Sequence, residues 1–142
     1  MQNLITALVF AIAVIQFPAR SQPVLVKSIV DGRTIVVAPH GRVRLAGLDT
    51  PSPGAREKLA SLLQNRWVHL ESDAAAPGVY VMTDDGQCAN VVIVREGLAR
   101  VSARQPLTRL AELQRAERDA KAARRGVWGY TRQDPSTRKK TP

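Results

Sequence analysis

Aromatic residues are scarce in this chain: two Trp, two Tyr and two Phe make up 4% of its 142 residues. A surface that grips single strands by base stacking needs several exposed rings, so Trp67 and Trp128 are expected to pack in the core or at an edge. Cysteine is scarcer still. Cys88 stands alone, which excludes an intrachain disulfide and any cysteine-built metal site, and it reads as a small buried apolar residue. The two histidines, His40 in a turn and His69 in a strand, are each isolated and do not form a ligand pair. No internal repeat is present. No apolar run reaches the roughly 20 residues of a bilayer span. The longest, Leu4 to Phe17, fits the hydrophobic region of a signal peptide, and Ala19-Arg20-Ser21 places small residues at the cleavage-site positions. Cleavage after Ser21 and a periplasmic or secreted location are therefore expected. No Lys or Arg precedes Leu4, which leaves an uncleaved anchor as the alternative.

Acidic residues are outnumbered, 12 Asp and Glu against 21 Lys and Arg, for a net charge of +9 that falls to +8 once Arg20 leaves with the leader. Such an excess favours polyanions, nucleic acid among them. It is concentrated late: Leu107 to Pro142 holds ten basic and four acidic residues, a net +6. Hydrophobic residues at 44% and charged ones at 23% are ordinary for one globular domain. The expected organisation is a leader over residues 1–21, a domain over 22–129 and a basic, aperiodic tail over 130–142.

Within the domain, short β-rich runs separated by turn residues predict strands at Val24–Val30, Thr34–Ala38, Arg42–Leu48, Trp67–Glu71 and Val79–Met82. In the third strand Arg42 and Arg44 alternate with Val43 and Leu45, so one face is basic and the other apolar. Gly54–Gln64 has helical spacing, with Leu59, Leu62 and Leu63 on one stripe. Asn90–Glu96 reads as a short helix capped by Asn90 and closed by Gly97. Leu107–Arg125, entered after Pro106, reads as an amphipathic helix.

In this order and spacing, Val30-Asp31-Gly32, Arg44-Leu45, Leu48-Asp49-Thr50-Pro51, Asn90 with Val94-Arg95-Glu96-Gly97-Leu98-Ala99, and Ala122-Ala123 to Val127-Trp128 resemble the staphylococcal nuclease-like (thermonuclease) family from about Val26 to Gly129. The resemblance implies an α+β, mainly β fold: a five-stranded OB-type barrel with about three packed helices. It also implies an activity, phosphodiester hydrolysis with one calcium ion held by carboxylates, a glutamate acting on the attacking water and two arginines on the phosphate.

Residue by residue, that recipe is incomplete. Where the family has the second aspartate of DGDT, a calcium ligand, this chain has Arg33. Arg44 matches the first phosphate arginine, and Asp49 the second calcium carboxylate, with Thr50 offering its carbonyl. Ser52 stands where the water-directed glutamate follows DTP, and Pro77 falls where the second arginine lies. A guanidinium in place of a carboxylate removes a ligand and repels the ion. A lost general base forfeits about 10²–10⁴ in rate, and a lost electrostatic clamp about 10²–10³. A rescue would need Glu57 or Asp31 to enter the site, although Asp31 reads more simply as a turn-former and Glu57 as a helix N-terminal charge.

The sequence thus points to a degenerate nuclease domain, a monomer that binds nucleic acid or another polyanion weakly and salt-sensitively through Arg33 and Arg44, with no cofactor unless residual activity retains calcium. An Arg33–Asp49 pair is expected where the ion would sit. Two alternatives stay open: a nuclease with a rearranged site, and a structural or protein-interaction domain.

Overall fold

The computed structural model describes residues 21–102 and 106–129. The expected leader, apart from Ser21, and the basic tail from residue 130 lie outside the described residues. Seven strands, β1 (Val24–Asp31), β2 (Thr34–Ala38), β3 (Gly41–Arg44), β4 (Leu48–Asp49), β5 (Trp67–Ser72), β6 (Val79–Thr83) and β7 (Arg100–Val101), combine with three helices, α1 (Pro53–Leu63), α2 (Ala89–Arg95) and α3 (Leu110–Ala122). A 3-10 turn at Gly126–Trp128 follows.

The five predicted strands form one antiparallel sheet in the order β3-β2-β1-β5-β6, and β4 and β7 make a separate two-stranded ribbon. The predicted third strand is therefore cut short. It leaves the ladder after Arg44, and Leu45 bridges to Val79 on β6, so the two sheet edges meet at one parallel bridge. The sheet curls toward an OB-like arrangement without closing into a barrel by a continuous ladder.

Alternation decides which side of each strand is buried. Val24 and Val26, Ile35 and Val37, Val68, and Val81 point inward, where they meet Ala55, Leu59 and Leu63 from α1, Val91, Ile93 and Val94 from α2, and Leu113 and Ala116 from α3. The same alternation turns Trp67 outward, 60% exposed, contrary to its expected packing. Among the described residues no helix is long and apolar enough to cross a membrane.

Asn90 is not the cap of α2 that its position suggested. The cap is Cys88, and Asn90 lies one residue inside the helix, fully buried. Its amide accepts from the Val81 N–H (3.1 Å) and donates to the carbonyls of Ala46 (2.9 Å) and Val79 (3.0 Å). β6 is an edge strand, and an edge leaves a row of backbone groups without partners. The buried amide supplies a partner for the Val81 N–H of that row, beside the Ala46 N–H bond to Val79 O, and ties α2 to the edge.

The last helix begins three residues later than predicted for a related reason. Asp73 accepts from the Tyr80 hydroxyl (2.5 Å) and from the N–H groups of Ala75 (2.8 Å), Ala76 (3.1 Å) and Thr108 (2.9 Å), while the Arg109 N–H reaches the Tyr80 oxygen (3.4 Å). A carboxylate and a phenol 35 and 29 residues away thus take donors from the approach to α3. At the far end of α3, Gly97 and Gly126 pack backbone against backbone, and the Val127 N–H donates to Gly97 O at 2.9 Å. A Cβ on either glycine would strike the facing carbonyl, which is the physical content of the REGLA and RRGVW segments.

Candidate nucleic-acid interface

The turn between β1 and β2 is built by Asp31, whose carboxylate accepts from the Arg33 N–H at 2.9 Å. That bond makes Asp31 a turn-former. The Arg33 carbonyl then accepts from the Leu45 N–H at 2.7 Å, and Thr34 pairs with Arg44 across β2 and β3. Arg33 and Arg44 are therefore held at one end of the same ribbon. The bridge from Leu45 to Val79, with an Ala46 N–H to Val79 O bond of 2.8 Å, brings the Ala76-Pro77-Gly78 loop alongside. Gly78 is required there: its φ is +114°, and an added Cβ would lie 2.9 Å from the Ala46 Cα.

These segments and β4 enclose an open cleft of about 540 Å³ lined by Arg33, Arg44, Asp49 and Pro77 together with Gly47, Gly78 and Ser102. Four of the six residues singled out from sequence share this cleft. Thr50 and Ser52 are not among its lining residues. Thr50 donates its N–H to the Asp49 carboxylate at 2.9 Å, and Ser52 starts α1, donating its N–H to Leu98 O at 2.8 Å. Glu57 is exposed on α1 and also lies outside the cleft.

The ion pairs among the described residues join Arg109 to Glu71 and Glu112, and Lys121 to Glu117. The expected Arg33–Asp49 pair is not one of them. Asp49 accepts from its own backbone neighbour Thr50 instead, and neither cleft arginine side chain has an ion-pair partner among the described residues. Arginine stays charged at any physiological pH, so two guanidinium groups face one carboxylate, a formal excess of +1 in the cleft. The arrangement can accept an anion bidentately on either arginine.

A model of staphylococcal nuclease homologues matches residues 55–130, from α1 to just past the 3-10 turn. The chain belongs to the staphylococcal nuclease homologue family. No curated protein matches it. In this homologue the matched span supplies nearly all of the helices, β5 to β7 and the Pro77 side of the cleft, whereas Arg33 comes from the β1–β2 turn and Arg44 and Asp49 from β3 and β4 before it.

One neighbour escaped sequence reasoning, and a tryptophan expected at a core or edge lies beside it. Arg100, exposed on β7, is the register partner of Asp49, a neighbour fixed only by strand pairing. Trp128 is half-buried, with Arg100 and Lys121 over its ring at 4.7 Å and 4.5 Å from the centroid. The histidines are not brought together: His40 is exposed in the β2–β3 turn, and His69 bonds the Ser21 carbonyl at 2.8 Å. Cys88 is buried, and that burial raises its thiol pKa.

Proposed function

We propose that this staphylococcal nuclease homologue is an exported, non-catalytic module that holds nucleic acid or another polyanion in the Arg33–Arg44 cleft without metal. The observation that carries the reading is the charge set of the cleft, two guanidinium groups against the single carboxylate of Asp49. Calcium takes six to eight oxygen ligands, usually with several carboxylates among them. One carboxylate sharing a cleft with two fixed cations does not suit that ion. Among the described residues, no three His, Cys, Asp or Glu side chains are grouped to hold any metal.

Among the described residues the cleft offers few groups that could act as a base for hydrolysis. Among its lining residues Asp49 is the sole titratable acid, and no glutamate or histidine is among them. An attacking water would have only Asp49 to take its proton, and that carboxylate already accepts the Thr50 N–H. The two arginines retain the binding half of phosphodiester chemistry: positive charge, and forked donors that match a phosphate.

The test uses fluorescein-labelled single-stranded DNA and RNA with the chain from Gln22 onward. Anisotropy measures binding across a salt series, and gels measure cleavage with calcium or with chelator. The expected result is salt-sensitive binding that Arg44→Ala weakens about tenfold or more and that chelator leaves unchanged, with no cleavage in either condition. Calcium-dependent cleavage abolished by Asp49→Ala would establish a rearranged nuclease instead. The absence of polyanion binding at low salt would leave a structural or protein-interaction role.

A further inference from the structure

The cleft is not where the positive charge ends. Asp49, on its wall, pairs across the β4–β7 ribbon with Arg100, and the Arg100 guanidinium lies over the Trp128 ring, 4.7 Å from its centroid. Lys121, in the last turn of α3, sits 4.5 Å from the same centroid. Two cations thus share one indole. Lys121 has the Glu117 carboxylate at 3.9 Å, while Arg100 is in no ion pair among the described residues.

From Lys121 the charge continues along the helix. Leu113, Ala116 and Ala120 form the buried stripe of α3. At 3.6 residues per turn, Arg115, Arg118 and Lys121 project on the opposite side, with Gln114 and Ala122 between them. All three are exposed. The helix's carboxylates, Glu112, Glu117 and Asp119, fall on the flanks, where Glu117 partly offsets Lys121, so the charged side chains centred on the outward stripe are cations. It runs about 9 Å along the axis at 1.5 Å per residue. An ordinary solvated helix face mixes both signs, and this one does not.

We propose that single-stranded nucleic acid seated in the Arg33–Arg44 cleft continues past Arg100 and Trp128 onto the Arg115–Arg118–Lys121 stripe, so that the binding site is longer than the cleft. The proposal rests on the cleft reading above and specifies its ligand. A single strand fits better than a duplex, because the path turns from a cleft between strands onto a helix surface, and duplex DNA is stiff over about 150 base pairs. A lipid surface is the weaker fit: the outward stripe offers no large apolar side chain to insert, which leaves charge attraction alone.

The experiment compares a thymidine tetranucleotide, long enough for the cleft alone, with a dodecanucleotide, by anisotropy against salt. The variants are Arg44→Ala, the triple Arg115→Gln, Arg118→Gln, Lys121→Gln, and a charge-keeping Arg115→Lys, Arg118→Lys control. For single strands each phosphate contact contributes about 0.7 to the slope of log affinity on log salt. The triple variant is therefore expected to lower the dodecanucleotide slope by about 2 and its affinity on the order of 100-fold near 0.1 M salt, with the tetranucleotide unchanged. The lysine control is expected to bind like the parent, and Arg44→Ala to weaken both ligands.

If the triple variant binds the dodecanucleotide like the parent while Arg44→Ala weakens both, the track is wrong and the cleft stands. If Arg44→Ala affects neither, the cleft reading fails and the track with it. Loss of binding to phosphatidylserine vesicles without loss of dodecanucleotide binding would assign the stripe to a membrane and overturn the proposal. Arg115 and Arg118 are exposed and Lys121 gives up only its surface contacts with Trp128 and Glu117, each worth about 1 kcal/mol or less, so the triple variant should stay folded with a melting temperature within about 10 °C of the parent, which keeps the binding result interpretable.

Discussion

Asn90→Ala removes the amide that closes the β6 edge, and its cost can be worked from the hydrogen bonds it makes. The Val79 carbonyl keeps a partner, since it also accepts from the Ala46 N–H. The Val81 N–H and the Ala46 carbonyl lose theirs at a site where the Asn90 side chain is fully buried. A buried polar group left unpaired costs about 1–3 kcal/mol, so two such groups cost about 2–6 kcal/mol before relaxation, and a value near 3 kcal/mol is expected once water enters the gap. Against a total stability of about 5–15 kcal/mol that is a large fraction. For a domain near 100 residues it corresponds to a fall of about 10–20 °C in melting temperature. Calorimetry or circular dichroism measures the fall. Hydrogen exchange adds a residue-specific readout, because the Val81 amide should lose its protection before the amides paired between β1 and β2 lose theirs. A melting temperature within about 3 °C of the parent, or an unchanged Val81 exchange rate, would refute the claim that this one amide holds α2 to the sheet edge.

Four further outcomes are expected. Gly97→Ala places a Cβ against the Arg125 carbonyl at a φ of +71°, so denaturant unfolding should show a loss of about 2 kcal/mol or more, whereas Gly41→Ala, with open space around it, should cost only its left-handed backbone strain. The Tyr80 hydroxyl and then the Ala75 N–H hold the Asp73 carboxyl below its ordinary 3.8. Its folded-state pKa is the lower one, so its contribution is present above about pH 4 and is lost as pH falls, and acid unfolding of Asp73→Asn should show a weaker pH dependence below that point. Tyr80 itself, raised by burial and then by Asp73 to about 12, should ionise late in a phenolate absorbance titration and lower stability as pH rises from 10 to 12, a step that Tyr80→Phe abolishes. Finally, Arg33→Asp with Ser52→Glu should make the melting temperature respond to millimolar calcium while the parent's does not, measured by thermal shift with chelator as control.

The elements of this fold were legible because local patterns carry them. Five strands announced themselves through β-branched runs between turns, and α1 through Leu59 and Leu63 at helical spacing. The family was legible in short motifs whose order is itself one-dimensional information. The identities at Arg33, Ser52 and Pro77 are facts of sequence, and none of the three is a carboxylate. What tertiary structure decided was every relation between residues far apart in the chain. Asn90 looked like a cap because Asn favours caps, yet β6 needed its amide more. The approach to α3 follows partners at Asp73 and Tyr80 that no local pattern names. The third strand ended early because Leu45 and Ala46 found Val79. Arg33 and Asp49 seemed made to pair, but backbone geometry gave the Asp49 carboxylate a nearer donor in Thr50. Charge composition gave only a basic chain; tertiary structure placed Asp49 opposite Arg100, and Trp128 beneath both Arg100 and Lys121, because strand register and helix packing are collective outcomes of burying a shared core.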